Sequence, residues 1–181
     1  MGARHVVSTA RTTVVLIAVL ATLAACGGGP SPVMWAAEVC TALRPWRAEI
    51  SGLTSSAQQQ MTAQTTPAQA QENLVRLLAG AESATETARA QVVAAGIPDT
   101  DQGELVAGGF VDSLGAVRDA YGRAEEGIAE LDASGPADTF YDGVEAVLEV
   151  LTDEYQSSAL DTTTLDSAEL DRAFDEVPEC R

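Results

Sequence analysis

The chain has 181 residues, 46% of them hydrophobic, and carries 27 acidic against 10 basic residues, a formal charge of −17. Negative charge of this size repels phosphate backbones and anionic membrane surfaces, so it disfavours nucleic-acid binding. The simpler explanation of the negative charge is that it keeps the protein soluble. Roughly 150 residues follow the N-terminal leader described next, which is enough for one hydrophobic core and therefore for one domain.

Residues 1–25 have the composition of a signal peptide. Arg4 and Arg11 precede an apolar run over residues 14–25. A membrane-spanning helix needs roughly 20 apolar residues, whereas a signal core needs only about 7 to 15 after a basic leader. The run ends at Leu23-Ala-Ala-Cys26, which resembles the bacterial lipobox, so we expect cleavage before Cys26 and a diacylglycerol on its thiol. The alternative is an ordinary secreted protein in which Cys26 stays a free thiol.

Cleavage there leaves eight basic residues, all arginine, against 27 acidic ones, a formal charge of −19. Residues 26–32, with the run Gly27-Gly-Gly-Pro-Ser-Pro32, are predicted to form a lipidated flexible tether. Two acyl chains anchor a protein almost permanently, since each buried methylene contributes about 0.8 kcal/mol. We therefore expect residues 33–181 to form a helical bundle domain, held by lipid on the extracytoplasmic face of the cell membrane.

A first helix is predicted from Ser31, the N-cap, and Pro32, at the first helical position. Pro45 should kink it, because proline removes one backbone hydrogen bond. The polar segment 55–65 then indicates a loop. Apolar residues of this helix recur at the helical spacing of three or four and form one stripe: Trp35, Val39, Leu43, Trp46, Ile50 and Leu53. The stripe favours a core position for its two tryptophans.

The second and third helices are each predicted to begin with a capping box, Thr66-Pro-Ala-Gln69 and Asp101-Gln-Gly-Glu104. Gly96 and Pro98 should end the second helix. The predicted inner face of the second helix is Leu74, Leu77, Ala81, Ala84, Ala88 and Val92. That of the third is Phe110, Leu114, Val117, Tyr121, Ala124, Ile128 and Leu131.

A fourth helix is predicted after Ser134-Gly-Pro136, and a short fifth helix from a cap at Asp166 to about Phe174. Polar residues 159–165 should link the two. The stripe of the fourth helix is Phe140, Val144, Val147, Leu151 and Tyr155. Exposed charge pairs are expected at helical spacing between Glu72 and Arg76 and between Asp119 and Arg123.

The three cysteines divide into Cys26 for lipid and Cys40 with Cys180 for each other. In an exported protein, two remaining cysteines favour a disulfide with each other, and here that bond would hold the C-terminal tail against the first helix. Two free thiols, an intermolecular bridge and a metal pair are the alternatives. The pattern as a whole predicts an all-α fold: an up-down-up-down four-helix bundle with a short C-terminal helix and a disulfide-tethered tail.

The residues after position 25 include no histidine, no lysine and no cysteine that we expect to be free. The usual general base, the phosphate-binding lysine and the thiol nucleophile are therefore missing. A carboxylate pair could hydrolyse glycosides, but in so acidic a domain a pair arises by chance. Residues 99–104 resemble the start of a calcium loop, yet Glu104 stands where glycine is required. We expect no catalytic site, no metal and no cofactor.

Gly108, Gly115 and Gly122 recur every seven residues on one flank of the third helix. We predict that they open a shallow groove that binds a ligand or a partner helix. The alternative is close helix packing, which would offset the roughly 1 kcal/mol that each glycine costs a helix.

Three segments, Cys40-x-x-Leu43-x-Pro45-Trp46, Gly96-Ile-Pro98 and Phe140-Tyr-Asp-Gly143, together resemble the small secreted lipoproteins of actinobacteria. The resemblance implies a helical extracytoplasmic domain with a Cys40–Cys180 bridge, and it brings no known activity or site residue. We expect a non-enzymatic interaction or binding module of the cell envelope, whose partners are the membrane and an envelope protein. The alternative is a carrier of a small apolar ligand held between the helices. A transporter-associated solute-binding protein is disfavoured, because the chain is too short and too helical.

Overall fold

A computed structural model describes residues 28–158 and 167–181, and these form an all-α protein. The long helices are α1 (Pro32–Gln60), α2 (Pro67–Ala94), α3 (Gly103–Ala129) and α4 (Ala137–Ser157). A short helix α5 (Ala168–Glu176) and a 3₁₀ turn (Pro178–Cys180) follow. The predicted signal peptide, the lipidation site Cys26, the linker 159–165 and the cap Asp166 lie outside the described residues.

Consecutive long helices run in opposite directions, which gives the predicted up-down-up-down bundle. Trp35, near the start of α1, donates its indole N–H to the carbonyl oxygen of Gly96, just beyond the end of α2, at 2.8 Å. Gln71, near the start of α2, donates its side-chain amide to the carbonyl oxygens of Ile128 and Leu131 at the end of α3, at 2.9 and 2.8 Å.

The helices pack in chain order, α1 on α2, α2 on α3 and α3 on α4. The backbone of α4 also reaches α2, but among the described residues it does not come beside that of α1. α5 and the 3₁₀ turn pack on α1. α4 is therefore the edge helix of the bundle, with one principal neighbour.

The core is a continuous apolar seam between α1, α2 and α3, and α5 covers it at the end where α1 begins. Leu170 of α5 is fully buried. The ring of Phe174 packs against those of Trp35 and Phe110, at centroid distances of 5.9 and 5.8 Å. Trp35 and Trp46 are both buried, so the prediction that they belong to the core is confirmed.

Thr85 is the one buried polar residue in the described part of the chain. Its hydroxyl donates to the carbonyl oxygen of Ala81 at 2.7 Å and accepts the indole N–H of Trp46 at 3.0 Å. No buried side-chain nitrogen or oxygen in the described ranges lacks a hydrogen-bond partner. The α1–α2 contact thus contains one buried polar link, and it is fully satisfied.

Hydroxyl side chains begin three of the helices. Ser31 accepts the backbone N–H of Met34 at 3.4 Å, as predicted for α1. The predicted capping box of α2 forms between Thr66 and Gln69. At α5 the cap is Ser167, one residue after the predicted Asp166. Because each cap satisfies a backbone N–H that would otherwise lack a partner, it fixes the first turn of its helix.

The capping box predicted at the start of α3 does not form. Gln102 occupies the cap position and makes no side-chain hydrogen bond there. Instead the backbone turns tightly, with the N–H of Gly103 donating to the carbonyl oxygen of Thr100 at 3.0 Å. A Cβ on Gly103 would collide with the carbonyl oxygen of Pro98. Close backbone approach at a glycine, rather than a carboxylate cap, therefore sets the start of α3.

Two further predictions about α1 and α2 were wrong in detail. α1 continues through residues 55–60, which we predicted to be loop, and the extension buries Ala57. On α2 the fully buried leucine is Leu78, whereas Leu77 is only partly buried. The inner face of α2 is thus rotated by one residue from the predicted stripe at this point.

One of the two predicted charge pairs forms, between Glu72 and Arg76 at 3.0 Å. The other does not. Arg123 instead reaches Glu154 of α4 at 3.0 Å, and Asp119 binds the adjacent Arg118 at 2.6 Å. The long side chain of Arg123 reaches a carboxylate on the neighbouring helix, so the partner predicted from helical spacing alone was wrong.

Candidate functional site

The predicted disulfide joins Cys40 of α1 to Cys180 of the 3₁₀ turn, with 5.1 Å between the two Cα atoms. Arg44, one turn further along α1, donates to the carbonyl oxygen of Glu179 at 3.1 Å. The tail is therefore fixed to α1 by a covalent bond and a charged hydrogen bond. Because both sulfurs are used within one chain, the alternatives of free thiols, an intermolecular bridge and a metal pair do not apply.

The glycine flank of α3 is bordered by charged side chains of α2. A Cβ on Gly108 would meet nothing within 4 Å, and one on Gly115 would lie 3.9 Å from the Arg89 side chain. A Cβ on Gly122 would lie 3.2 Å from the carboxylate of Glu82. These glycines do not bring two backbones together. A ligand groove there stays a prediction, and its surroundings suit a polar ligand better than an apolar one.

Beside this flank, Glu86 of α2 binds two arginines. It accepts Arg89 at 2.9 Å and Arg118 of α3 at 2.7 Å, and Arg118 also binds Asp119. Hydrogen bonds from Arg89 and then Arg118 lower the pKa of Glu86 from 4.5 to about 2. The same contacts raise the pKa of both arginines. The cluster is charge-paired and links α2 to α3, so its groups are engaged with one another rather than turned towards a substrate.

Acidic residues do not converge on a metal position in the described ranges, where no three histidine, cysteine, aspartate or glutamate side chains form a ligand group. In the calcium-like segment, the backbone N–H of Asp99 donates to the carbonyl oxygen of Pro30 at 2.9 Å. The hydroxyl of Thr100 donates to the carboxylate of Glu169 on α5 at 2.9 Å. This segment ties α5 and the residues before α1 to the α2–α3 loop.

Of the four long helices, α4 buries the fewest of its residues. Of its 21 residues only Phe140 and Val144 are buried. Tyr141, Val150 and Tyr155 are exposed by 40%, 58% and 41%. Two depressions flank the helix, and the sequence pattern indicated neither of them, because the stripe of α4 resembles those of the fully packed helices.

The first depression is a shallow groove of about 520 Å³ on the side of α4 away from α3. Apolar or aromatic side chains and polar ones line it in equal number: Tyr141, Val144 and Leu148, and Glu145, Glu149 and Thr152. It is open to solvent over most of its area.

The second depression is an almost wholly apolar cleft of about 290 Å³ between α3 and α4. The ion pair of Arg123 with Glu154 lies at its border. Close approach of the helices limits the cleft, because a Cβ on Gly127 would already lie 3.1 Å from Val147. A second glycine at the helix contact, Gly143, faces Leu131, where a Cβ would lie at 2.7 Å. At the α3–α4 contact the glycines that permit close packing are thus these two, not the three of the predicted flank.

The segment just before α1 lies against the domain and is not a free linker. Besides the hydrogen bond from Asp99 to Pro30, a Cβ on Gly29 would collide with the carbonyl oxygen of Ile97. The predicted tether 26–32 therefore meets the α2–α3 loop by residue 29. A lipid anchor on Cys26 would therefore be attached to the domain at this end.

None of the helices in the described residues is long and apolar enough to cross a membrane. No protein-family model, no curated protein and no solved structure matches the chain.

Proposed function

We propose that the chain is a lipid-anchored, non-enzymatic module of the cell envelope that binds another envelope protein through α4. The observation that carries the proposal is the groove on the outer side of this edge helix, where the exposed Tyr141 lies beside Glu145 and Glu149. Tyr141, Val150 and Tyr155 make up three of the nine large apolar side chains that are well exposed in the described residues. Tyr141 lies in the groove and Val150 in the cleft on the opposite side of α4, and exposed apolar side chains in such depressions can serve as contact points for a partner.

The chemistry of the partner follows from charge. α4 carries six acidic residues and no basic one. Glu145 and Glu149 border the groove, next to Tyr141 and Leu148. A fitting partner presents an apolar stripe flanked by arginine or lysine, as an amphipathic helix does when it binds in a groove. A second copy of this acidic chain would place like charges opposite each other, so it is a poorer fit.

The proposed anchor is a diacylglycerol on Cys26. It is supported by the basic leader, the short apolar run and the Leu23-Ala-Ala-Cys26 motif that resembles a lipobox. The resemblance to small actinobacterial lipoproteins supports the same localisation. Intact-mass measurement of the native protein tests it directly: we expect an acylated N-terminal cysteine, and an unmodified one would contradict the anchor.

Photo-crosslinking tests the α4 interface, because the chain has no lysine for amine-reactive reagents. A photoreactive residue at Glu145 in the groove is compared with one at Glu49, a glutamate that is also exposed, on α1. In intact cells we expect a discrete crosslinked partner from position 145 that is at least tenfold weaker from position 49. Mass spectrometry should place basic residues in the partner segment at the crosslink.

A substitution pair completes the test. Tyr141→Ser with Glu149→Arg, both at exposed positions in the groove, should abolish the crosslink, whereas Val93→Ser with Glu49→Arg, exposed residues away from α4, should leave it intact. A crosslink that survives the α4 substitutions, or one no stronger than that of a control lipoprotein, would refute α4 as the docking surface.

A second candidate, a carrier of a small apolar ligand, is favoured by the apolar cleft between α3 and α4. Its volume of about 290 Å³ is at the lower limit of ligand pockets. Native mass spectrometry of protein purified from its own host should then show a bound ligand. Ala146→Phe, at the cleft, should remove the ligand, while Ala48→Phe, on the exposed side of α1, should not. Consistently empty spectra would exclude this candidate.

A further inference from the structure

The two ends of the bundle differ in their exposed apolar surface. Five of the nine large, well-exposed apolar side chains lie at the end where α1 begins, α2 ends and α3 begins: Val33, Met34, Val93, Ile97 and Leu105. Leu105 and Met34, with 66% and 64% exposure, are the most exposed of the nine. At the opposite end, where α1 ends and α4 begins, only Met61 and Tyr141 of the described chain are large apolar residues that are well exposed, at 36% and 40%.

The same end holds the chain that leads to Cys26. Gly29 and Pro30 are packed on the α2–α3 loop, through the contacts with Ile97 and Asp99. Only two peptide units separate Gly28 from Cys26, and two residues span at most about 7 Å of extended chain. An acyl group on Cys26 therefore brings this end of the domain, and no other, to the lipid surface.

We infer that this anchor-side end rests on the bilayer, with the exposed apolar side chains of the α1 start, the α2 end and the α3 start entering the interface. The inference rests on the proposed lipidation of Cys26, and it adds an orientation: the long axis of the bundle stands up from the membrane. A short, packed connection fixes that orientation better than a free linker does, because the domain has little chain in which to turn.

The charges at this end select the kind of lipid surface. Asp99, Asp101 and Glu104 are exposed close to Leu105, and Glu38 is exposed on the first turns of α1. Carboxylates are repelled by anionic headgroups within a Debye length. The contact is therefore apolar and is stronger on zwitterionic lipid than on anionic lipid at low salt.

Quenching by brominated lipid tests the orientation in the full acylated protein. Leu105→Trp places a fluorophore at the anchor-side end, and Met61→Trp places one at the far end, about 40 Å away along the 29-residue α1. Both replaced side chains are exposed, so neither substitution disturbs the core. Each is reconstituted in vesicles of brominated phosphatidylcholine and compared with the parent, whose Trp35 and Trp46 give the background.

We expect the added tryptophan at position 105 to be quenched at least threefold more than that at position 61. The difference should shrink in vesicles that contain half phosphatidylglycerol at low salt and return at high salt. Equal quenching at the two positions in protein of confirmed acyl mass would overturn the orientation alone. Absence of the acyl mass would overturn both the anchor and the orientation.

Discussion

Replacing Thr85 with valine should weaken the contact between α1 and α2 by removing one hydroxyl. The hydroxyl accepts the indole N–H of Trp46 at 3.0 Å and donates to the carbonyl oxygen of Ala81 at 2.7 Å. Valine has nearly the same shape, so packing is kept while the buried N–H of Trp46 loses its acceptor. A buried donor left without a partner costs about 1 to 3 kcal/mol.

We therefore expect Thr85→Val to lower the free energy of unfolding by about 2 kcal/mol, measured by urea denaturation of the oxidised protein and followed by far-ultraviolet circular dichroism. Thr85→Ser keeps the hydroxyl and serves as the control for the hydrogen bond. Trp46→Phe removes the donor, so Thr85→Val should cost at least about 1 kcal/mol less in that background. An equal cost in both backgrounds, or a Thr85→Val protein as stable as the parent, would refute the reasoning.

Three other properties can be measured on the same protein. Cys40→Ala with Cys180→Ala should lower the free energy of unfolding by up to about 5 kcal/mol, because the bond closes a 140-residue loop, and unchanged urea denaturation would contradict this. Glu86 has a folded pKa of about 2 against 4.5, so its ionised form stabilises the fold above pH 4.5, and that contribution is lost as the pH falls through 2. Acid titration of stability should accordingly be flatter over this range in Glu86→Gln, and identical profiles would argue against the arginine contacts. Gly108→Ala should raise the free energy of unfolding by about 0.5 to 1 kcal/mol, because a Cβ there meets nothing within 4 Å, and a destabilised variant in urea would show that the flank is in contact with something.

Local signals in the sequence predicted most of the helices. Ser31 and Thr66 cap their helices as expected, and the regular stripe of α3 is buried from Phe110 to Ile128. The pairing of Cys40 with Cys180 followed from counting cysteines once Cys26 was assigned to lipid. Each of these features depends on a few neighbouring residues or on composition, and such information is present before the chain folds.

The features that were missed depend on contacts between distant segments. Arg123 prefers Glu154 over Asp119 only because α4 lies beside α3. The start of α3 is set by the approach of Gly103 to the Pro98 carbonyl group, which no capping pattern indicates. α1 continues through the polar residues 55–60 because the continued helix buries Ala57. In each case tertiary packing outweighed a local preference of a few tenths of a kcal/mol.

The candidate surface on α4 was beyond sequence reasoning for a related reason. Its stripe ends at Tyr155 with the same spacing as the stripe of α3, yet Tyr155 is exposed and Ile128 is fully buried. The difference arises from position in the bundle, because α3 is covered on two sides and α4 on one. Periodicity tells which side of a helix is apolar, but not whether the fold supplies a neighbour for it.

The Cys40–Cys180 bond changes what proteolysis can do to this protein. A single cut anywhere between those two residues yields two polypeptides that remain joined through sulfur. With lipid on Cys26, as we propose, the severed C-terminal piece would stay on the cell until the bond is reduced. Shedding into the medium would then require two separate chemical events, whereas a cut between Cys26 and Cys40 would release the whole domain at once.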